Sequence, residues 1–384
     1  MTDFDIDKLK SLPTPSPIGW EPGVVFDGGQ GFVKTPLLED EPSPEYIRDI
    51  IKASRLDPDD IVVDWSAKAR ITSHIGADGN LVQCWYKLPI TQKPNRNFDI
   101  DKLIKRIDID NRPDKGKKWR TIMLSDQHIG KSEADGGGTD IILQRWHDGV
   151  AKALSDGPFA GINLVFGGDT IEGYESQGGK NIGSCDSSLS EQIDLATDMA
   201  FETVHACLKA ADSVVVSVVP GNHGDTTRVA NVSMTDSYDV QIVRNVERVF
   251  KKAAKLDKDL AFMLDNLTFF YPSRETGDLT YRAGDTIFTV VHGHKFRGGP
   301  VNGAEKWWAG QITNDRPAAA GEILLYGHFH GFRAWNYTAK RWILSAPSLE
   351  TQSTWFANAT GATSLPGVLV FDAADGVPKN ITVV

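Results

Sequence analysis

The chain has 384 residues, a formal net charge of -10 and an ordinary globular composition, 40% hydrophobic and 24% charged. That length exceeds one compact domain of usual size, so the sequence predicts one large domain with a smaller appendage, and its composition excludes extensive disorder. The negative charge argues against a protein that coats nucleic acid through a basic surface, but it leaves room for an enzyme that meets phosphates through cations held at a site.

The opening MTDFDIDKLK lacks the basic-then-apolar pattern of a signal peptide, and no apolar run nears the roughly 20 residues that span a bilayer. A cytoplasmic protein without membrane contact is expected. Residues 1 to about 45 are rich in Pro and Gly and predict an irregular segment. Next, PSPEYIRDIIKAS places Ile47, Ile50 and Ile51 at helical spacing after Ser43, Pro44 and Glu45, which predicts a short helix. IVVDWSA and LVQCWYKLPI flank a turn signal at Gly76-Ala77-Asp78-Gly79 and predict a hairpin. Residues 1–115 therefore form a small N-terminal α+β appendage, winged-helix-like in the order of its elements. The stretch from Lys93 to Arg120 holds ten Lys or Arg against five Asp, as a solvated linker or a substrate-binding segment would. Cys84, Cys185 and Cys207 are odd in number and widely spaced, which suits reduced buried thiols.

From Trp119 apolar strands alternate with amphipathic helices, the signature of an α/β domain, here over residues 116–384. The predicted strands are TIMLS, INLVF, VVVSVV, TIFTVV, EILLY and RWILS. The predicted helices are 139–154, 188–211 with a capping box between Ser188 and Glu191, and 236–256. Five of the six strands end in short loops, SDQHIG, FGGDTIEG, PGNHGD, VHGHK and YGHFHG, which hold six of the nine His. In open α/β sheets ligands gather at the carboxyl ends of strands, so loops this far apart in sequence can converge. Their Asp, Asn and His side chains, with no Cys, suit harder divalent ions: Mn²⁺ first, with Fe²⁺ or Zn²⁺ as alternatives. Two such ions can activate a water and clamp a transferring phosphoryl group.

These blocks, D-x-H, G-D, G-N-H, a strand-terminal His and G-H-x-H in that order, resemble the calcineurin-like metallophosphoesterase superfamily, over roughly residues 119 to 350. The resemblance implies a four-layer α/β/β/α sandwich with two metals at one edge of its sheets. It implies that Asp126, His128 and His330 hold one ion, that Asn222, His292 and His328 hold the other, and that Asp169 bridges them. His223 would contact the scissile phosphate as an acid or electrostatic group. The position after G-N-H is often acidic in relatives, whereas here Gly224 precedes Asp225. In V-H-G-H, His292 directly follows the strand and is preferred as the ligand, with His294 as a neighbouring or substrate contact.

Between His292 and His328 lies KFRGGPVNGAEKWWAGQ, which begins at the rim of the expected site. Lys295, Arg297 and Lys306 could meet phosphates and Trp307 and Trp308 could stack on a base; the plain alternative is a helix that packs its tryptophans into a core. The blocks and this segment look closest to the DNA-repair nuclease branch and to bacteriophage-type phosphoesterases. The expected function is a two-metal phosphodiesterase acting on DNA. The alternatives are a phosphoesterase for cyclic nucleotides or phosphomonoesters, and a binding protein that keeps the fold without turnover. The oligomeric state stays open, with a homodimer as one arrangement.

Overall fold

In a computed structural model, the described residues are 20–27, 30–54, 56, 58–75, 81–92, 100–109, 116–132, 138–227, 232–256, 264–350 and 365–384. The chain separates into two compact units, Met1–Asn95 and Arg96–Val384. The division falls ahead of the boundary at 115/116 expected from the sequence. The cause is apolar: Leu103, Ile104, Ile107 and Ile109 pack against the core of the second unit.

The first unit is an antiparallel sheet of β1 (Gly23–Asp27), β2 (Gln30–Lys34), β3 (Ile61–Val63), β4 (Ala69–Ile75) and β5 (Leu81–Gln92), in which β5 pairs with β2, β3 and β4. Helix α1 (Pro44–Ala53) begins at Ser43, whose side chain accepts the Tyr46 N–H, and buries Ile47 and Ile51 with Val33, Tyr86, Leu88 and Ile90 of the sheet. Two strands thus occupy a stretch expected to be irregular. Val24 and Val33 supply the apolar alternation that its glycines and prolines obscure. The expected turn at 76–79, residues 1–19 and parts of the basic stretch, 93–99 and 110–115, lie outside the described residues.

The second unit holds two sheets. The first has the order β16-β15-β6-β7-β8-β9, with β6 (Trp119–Leu124), β7 (Gly161–Phe166), β8 (Val214–Val218) and β9 (Leu267–Phe270) parallel and β15 (Leu369–Ala374) and β16 (Val377–Val383) antiparallel at one side. The second runs β10-β11-β12-β14-β13. Its members are β10 (Asp278–Ala283), β11 (Thr286–Val291), β12 (Ile323–Tyr326), β13 (Arg333–Thr338) and β14 (Arg341–Ser345), with β11, β12 and β14 parallel.

Alternate residues of the same apolar runs feed different cores, which is why these strands read as continuous hydrophobic segments. Ile122, Leu124, Leu164, Phe166, Val214 and Val216 face helices α2 (Thr139–Leu154), α3 (Leu189–Ala210) and α4 (Tyr238–Ala253), where Trp146, Met199 and Phe250 meet them. Met123, Val165 and Val215 face the other way, onto Phe288, Val290, Leu325 and Leu344 of the second sheet. Leu324, Tyr326 and Ile343, on that sheet's outer face, pack against Ala304 and Trp308 of α5 (Pro300–Thr313). The result is a four-layer α/β/β/α sandwich. The expected capping box on α3 is present in both directions between Ser188 and Glu191. Among the described residues no helix is long and apolar enough to cross a membrane.

Trp308 is fully buried, so Trp308→Ala should cost about 3–5 kcal/mol of stability, whereas Trp307→Ala, at a half-buried position, should cost less than half as much. Chemical denaturation of the two variants beside wild type checks both. Equal, small losses would mean that α5 is not anchored as described.

Candidate metal centre

The carboxyl ends of β6, β7 and β8 in one sheet and of β11 and β12 in the other bring Asp126, His128, Asp169, His223, His292, His328 and His330 together. Asp126, His128, Asp169, His328 and His330 all have left-handed backbone, with φ between 51 and 65°. They make up five of the eight non-glycine residues with positive φ among the described residues. Such a conformation costs about 1–3 kcal/mol at each position and persists where surrounding contacts over-determine it. Here it turns the chain back at the strand end, so that carboxylates and imidazoles converge. Glycine supplies the remaining room: a Cβ on Gly221 would lie 2.0 Å from Asp169 Oδ1.

Three groups of ligand-type atoms result, each with its atoms within 4.8 Å of one another: Asp126, His128 and His330; Asp169, His292 and His328; and His128, Glu172 and His223, which shares His128 with the first. In the first, His128 Nε2 lies 3.3 Å from His330 Nε2, which is itself 3.3 Å from Asp126 Oδ1. In the second, His292 Nε2 lies 2.9 Å from Asp169 Oδ2 and 4.0 Å from Asp126 Oδ1, which brings the two groups side by side. Asp126 and Asp169 are 0% and 1% exposed. The half-buried Asn222 sits just before His223, whose backbone N–H donates to Asp169 Oδ1 at 2.7 Å.

Three of the imidazoles are fixed through Nδ1, which leaves Nε2 to face the cluster. His292 Nδ1 meets the Gly167 carbonyl at 2.8 Å, His128 Nδ1 meets Glu172 Oε2 at 2.8 Å, and His330 Nδ1 meets Glu350 Oε1 at 2.6 Å. That is the orientation in which an imidazole ligates a metal. Burial works to lower His292, His330 and His223, but carboxylates outweigh it: Asp169 and Asp126 raise His292 to about 9, Glu350 and Asp126 raise His330 to about 10, and Glu172 and Asp169 raise His223 to about 9. Burial and the neighbouring His292 instead push His328 down to about 4 and His294 to about 3. His223 Nδ1 lies 3.0 Å from the Glu172 carbonyl and 3.3 Å from Glu172 Oε2, and its ring meets that of His128 edge-on at 4.5 Å.

Sequence reasoning missed Glu172, Glu350 and Asp239. Glu172 stands in the quoted FGGDTIEG loop and has a signal in its spacing from Asp169. Glu350 follows RWILS, the sixth strand, which bore no ligand of its own; it is 3% exposed and also ion-pairs with Lys131. Asp239 lies in the first turn of α4 and belongs to no block.

The rim residues fare differently. Lys295, Arg297 and Lys306 are exposed, and Lys295 Nζ reaches Met234 Sδ at 3.5 Å. His294 stands beside the second group, its ring 5.5 Å from that of His292 and its buried Nδ1 without a hydrogen-bond partner. Trp308 is not at the rim: its Nε1 donates to the Ala318 carbonyl, Tyr337 stacks on its ring, and it forms part of the core under α5. It shares a helix face with Ala304, four residues back, and that face meets the sheet. Trp307 is half-buried against Phe296 at 5.7 Å.

The donor set fits divalent cations. Buried carboxylates need a counter-charge, several imidazoles present Nε2 inward, and the described cysteines belong to none of the groups. No protein-family model and no curated protein matches the chain. Solved structures similar to it include Vps29 from Entamoeba histolytica complexed with Zn²⁺, 12% identical over 67% of this chain and 87% of that one with a TM-score of 0.30. Others are a predicted phosphoesterase from Streptococcus pneumoniae TIGR4, at 14% over 67% and 85% with 0.31, and a metallophosphoesterase from Sphaerobacter thermophilus, at 15% over 67% and 84% with 0.28.

If the groups hold ions, adding Mn²⁺ at a hundredfold excess over its dissociation constant should stabilise the protein by about 2.7 kcal/mol, and EDTA should reverse the effect. Asp169→Asn should abolish the response. Thermal melts indifferent to Mn²⁺ and EDTA in the wild type would show that the clusters hold no ion.

Proposed function

We propose that the chain is a two-metal phosphoester hydrolase and that it cleaves phosphodiesters of nucleic acid, DNA first among them. The observation that carries the hydrolase reading is the convergence of the side chains named above, from five strand ends of two sheets, into adjoining buried groups. The resemblance of the five sequence blocks to the calcineurin-like metallophosphoesterases supports the same reading. Bound divalent ions, Mn²⁺ in this proposal, would supply Lewis acidity toward phosphoryl oxygens and toward a water.

The protein's own groups divide the remaining work. Asp126, His128 and His330 would hold one ion, Asn222, His292 and His328 the other, and Asp169 both. Glu172 and Asp169 keep His223 protonated against the cost of burial, so His223 can stabilise or protonate the departing oxygen. Cations beside His223 oppose its charge, and Glu172, held at about 2 against burial by His223 and His128, is the anion placed to offset them.

Substrate class is read from the rim. Lys295 and Arg297 follow His292 and His294 directly and are exposed, with Lys306 exposed on the helix behind them. Their charges suit the phosphates that flank a scissile bond in a polynucleotide. Trp308 is buried and cannot stack on a base, so Trp307 and His294 are the rim contacts in this proposal.

With Mn²⁺, the wild type should cut DNA. His223→Ala should keep its ions and lose about 10²–10⁴-fold in turnover, while His292→Ala should bind metal more weakly. Replacing Lys295, Arg297 and Lys306 together by Ala should raise KM for DNA and flatten its salt dependence, with hydrolysis of a small aryl phosphodiester barely changed. A wild type that hydrolyses cyclic nucleotides but leaves DNA and RNA uncut rejects the nucleic-acid part. Inertness toward every phosphoester, with metal bound, rejects the hydrolase part.

A further inference from the structure

We infer that Asp239, which lies outside the ligand set, is the positioning residue that locks the Asp169 loop to the Asn222–His223 loop. Both loops leave their sheet at the carboxyl end of a strand; Gly167 and Val219 still donate to the Leu124 and Phe166 carbonyls of the neighbouring strands, but beyond them the buried amides need another acceptor. One carboxylate serves both. Asp239 Oδ1 accepts the Thr170 N–H at 2.8 Å and Oδ2 accepts the Gly221 N–H at 2.9 Å. Thr170 directly follows Asp169, and Gly221 directly precedes Asn222. A carboxylate with two oxygens about 2.2 Å apart therefore sets the spacing of the two loops through charge-assisted bonds.

Asp239 itself is held from several sides. It is 0% exposed, its N–H donates to Ser237 Oγ at 3.2 Å, and Ser237 caps α4. The Tyr238 N–H donates to the Gly224 carbonyl at 2.8 Å, and Asp225 forms a bridge with Ser237, so the start of α4 is tied to the chain just after His223. Gly224 then becomes significant. A Cβ there would lie 2.3 Å from Asp239 Oδ2, so the carboxylate from α4 occupies the space that a side chain at 224 would take. An acid at one of these two positions excludes a side chain at the other.

That exclusion supplies the test. Asp239→Asn keeps the shape but offers one oxygen to two N–H donors, so hydrogen exchange at Thr170 or Gly221 should accelerate in metal-free protein, without change in the strands of the core. Asp239→Ala should accelerate both. Gly224→Asp alone should be harmful, because it drives a second carboxylate into occupied space. Combined with Asp239→Ala it should restore amide protection, giving a favourable coupling between two changes that are each damaging. The metal half of the test rests on the function proposed above: Asp239→Asn should weaken Mn²⁺ binding about 10–100-fold by titration calorimetry, and the double variant should recover most of it. Unchanged protection at Thr170 and Gly221 in Asp239→Asn, or a double variant no better than Asp239→Ala, overturns the inference. Because the exchange is read without metal, a wild type that binds no Mn²⁺ counts against the proposed function and leaves this result standing.

Discussion

Negative charge taken out of water is the constraint on which the rest depends. Asp126, Asp169, Glu172 and Glu350 are each 3% exposed or less and stand at one edge of the two sheets. A buried carboxylate without a counter-charge or donors costs far more than a folded domain of this size can spare. The structure answers with imidazoles: His292 against Asp169, His330 between Asp126 and Glu350, and His128 and His223 against Glu172. Divalent ions would answer the same need with a more concentrated charge, and the inward-facing Nε2 atoms leave a place for it. The left-handed residues belong to the same logic, since the strain at five residues, past the ends of three strands, is repaid only when their side chains meet.

The frame that makes this edge rigid is indifferent to chemistry. Strands buried on both faces send successive residues to different cores, Ile122 and Leu124 toward the helices and Met123 toward the other sheet. Each loop therefore starts from a point fixed on two sides. A side chain that follows such a strand by one or two residues, as those of Asp126 and His292 do, inherits that precision.

Much of this was legible in the sequence because the signals were redundant. The six strands were apolar runs too long and too uniform to be loops, and three helices carried caps or amphipathic spacing that the structure reproduces. The ligand-type residues stood next to strand ends, so their convergence followed from topology. What was hidden lacked local contrast. Asp239 reads as one more acid near a helix N-terminus, and only the fold brings Thr170 and Gly221 to it. Glu350 is five residues past its strand. The two tryptophans of α5 were a choice between faces, and the four-residue step from Ala304 to Trp308 held the answer in the pattern of small and large residues. In the first unit, glycine and proline concealed β1 and β2, which pair with each other and of which β2 also pairs with β5, a partner far along the chain.

The first two groups draw on both sheets: Asp126, His128 and Asp169 come from one, His292, His328 and His330 from the other. An ion held by both would then be a cross-link, a non-covalent staple closing a loop of 202 residues between His128 and His330. Pulled apart by force, or breathing at its open edge, the sandwich would have to release the ion before the sheets could slide. Its mechanical resistance would thus be set by the concentration of a metal in the surroundings, and the hydrophobic layer between the sheets would be relieved of guarding that edge.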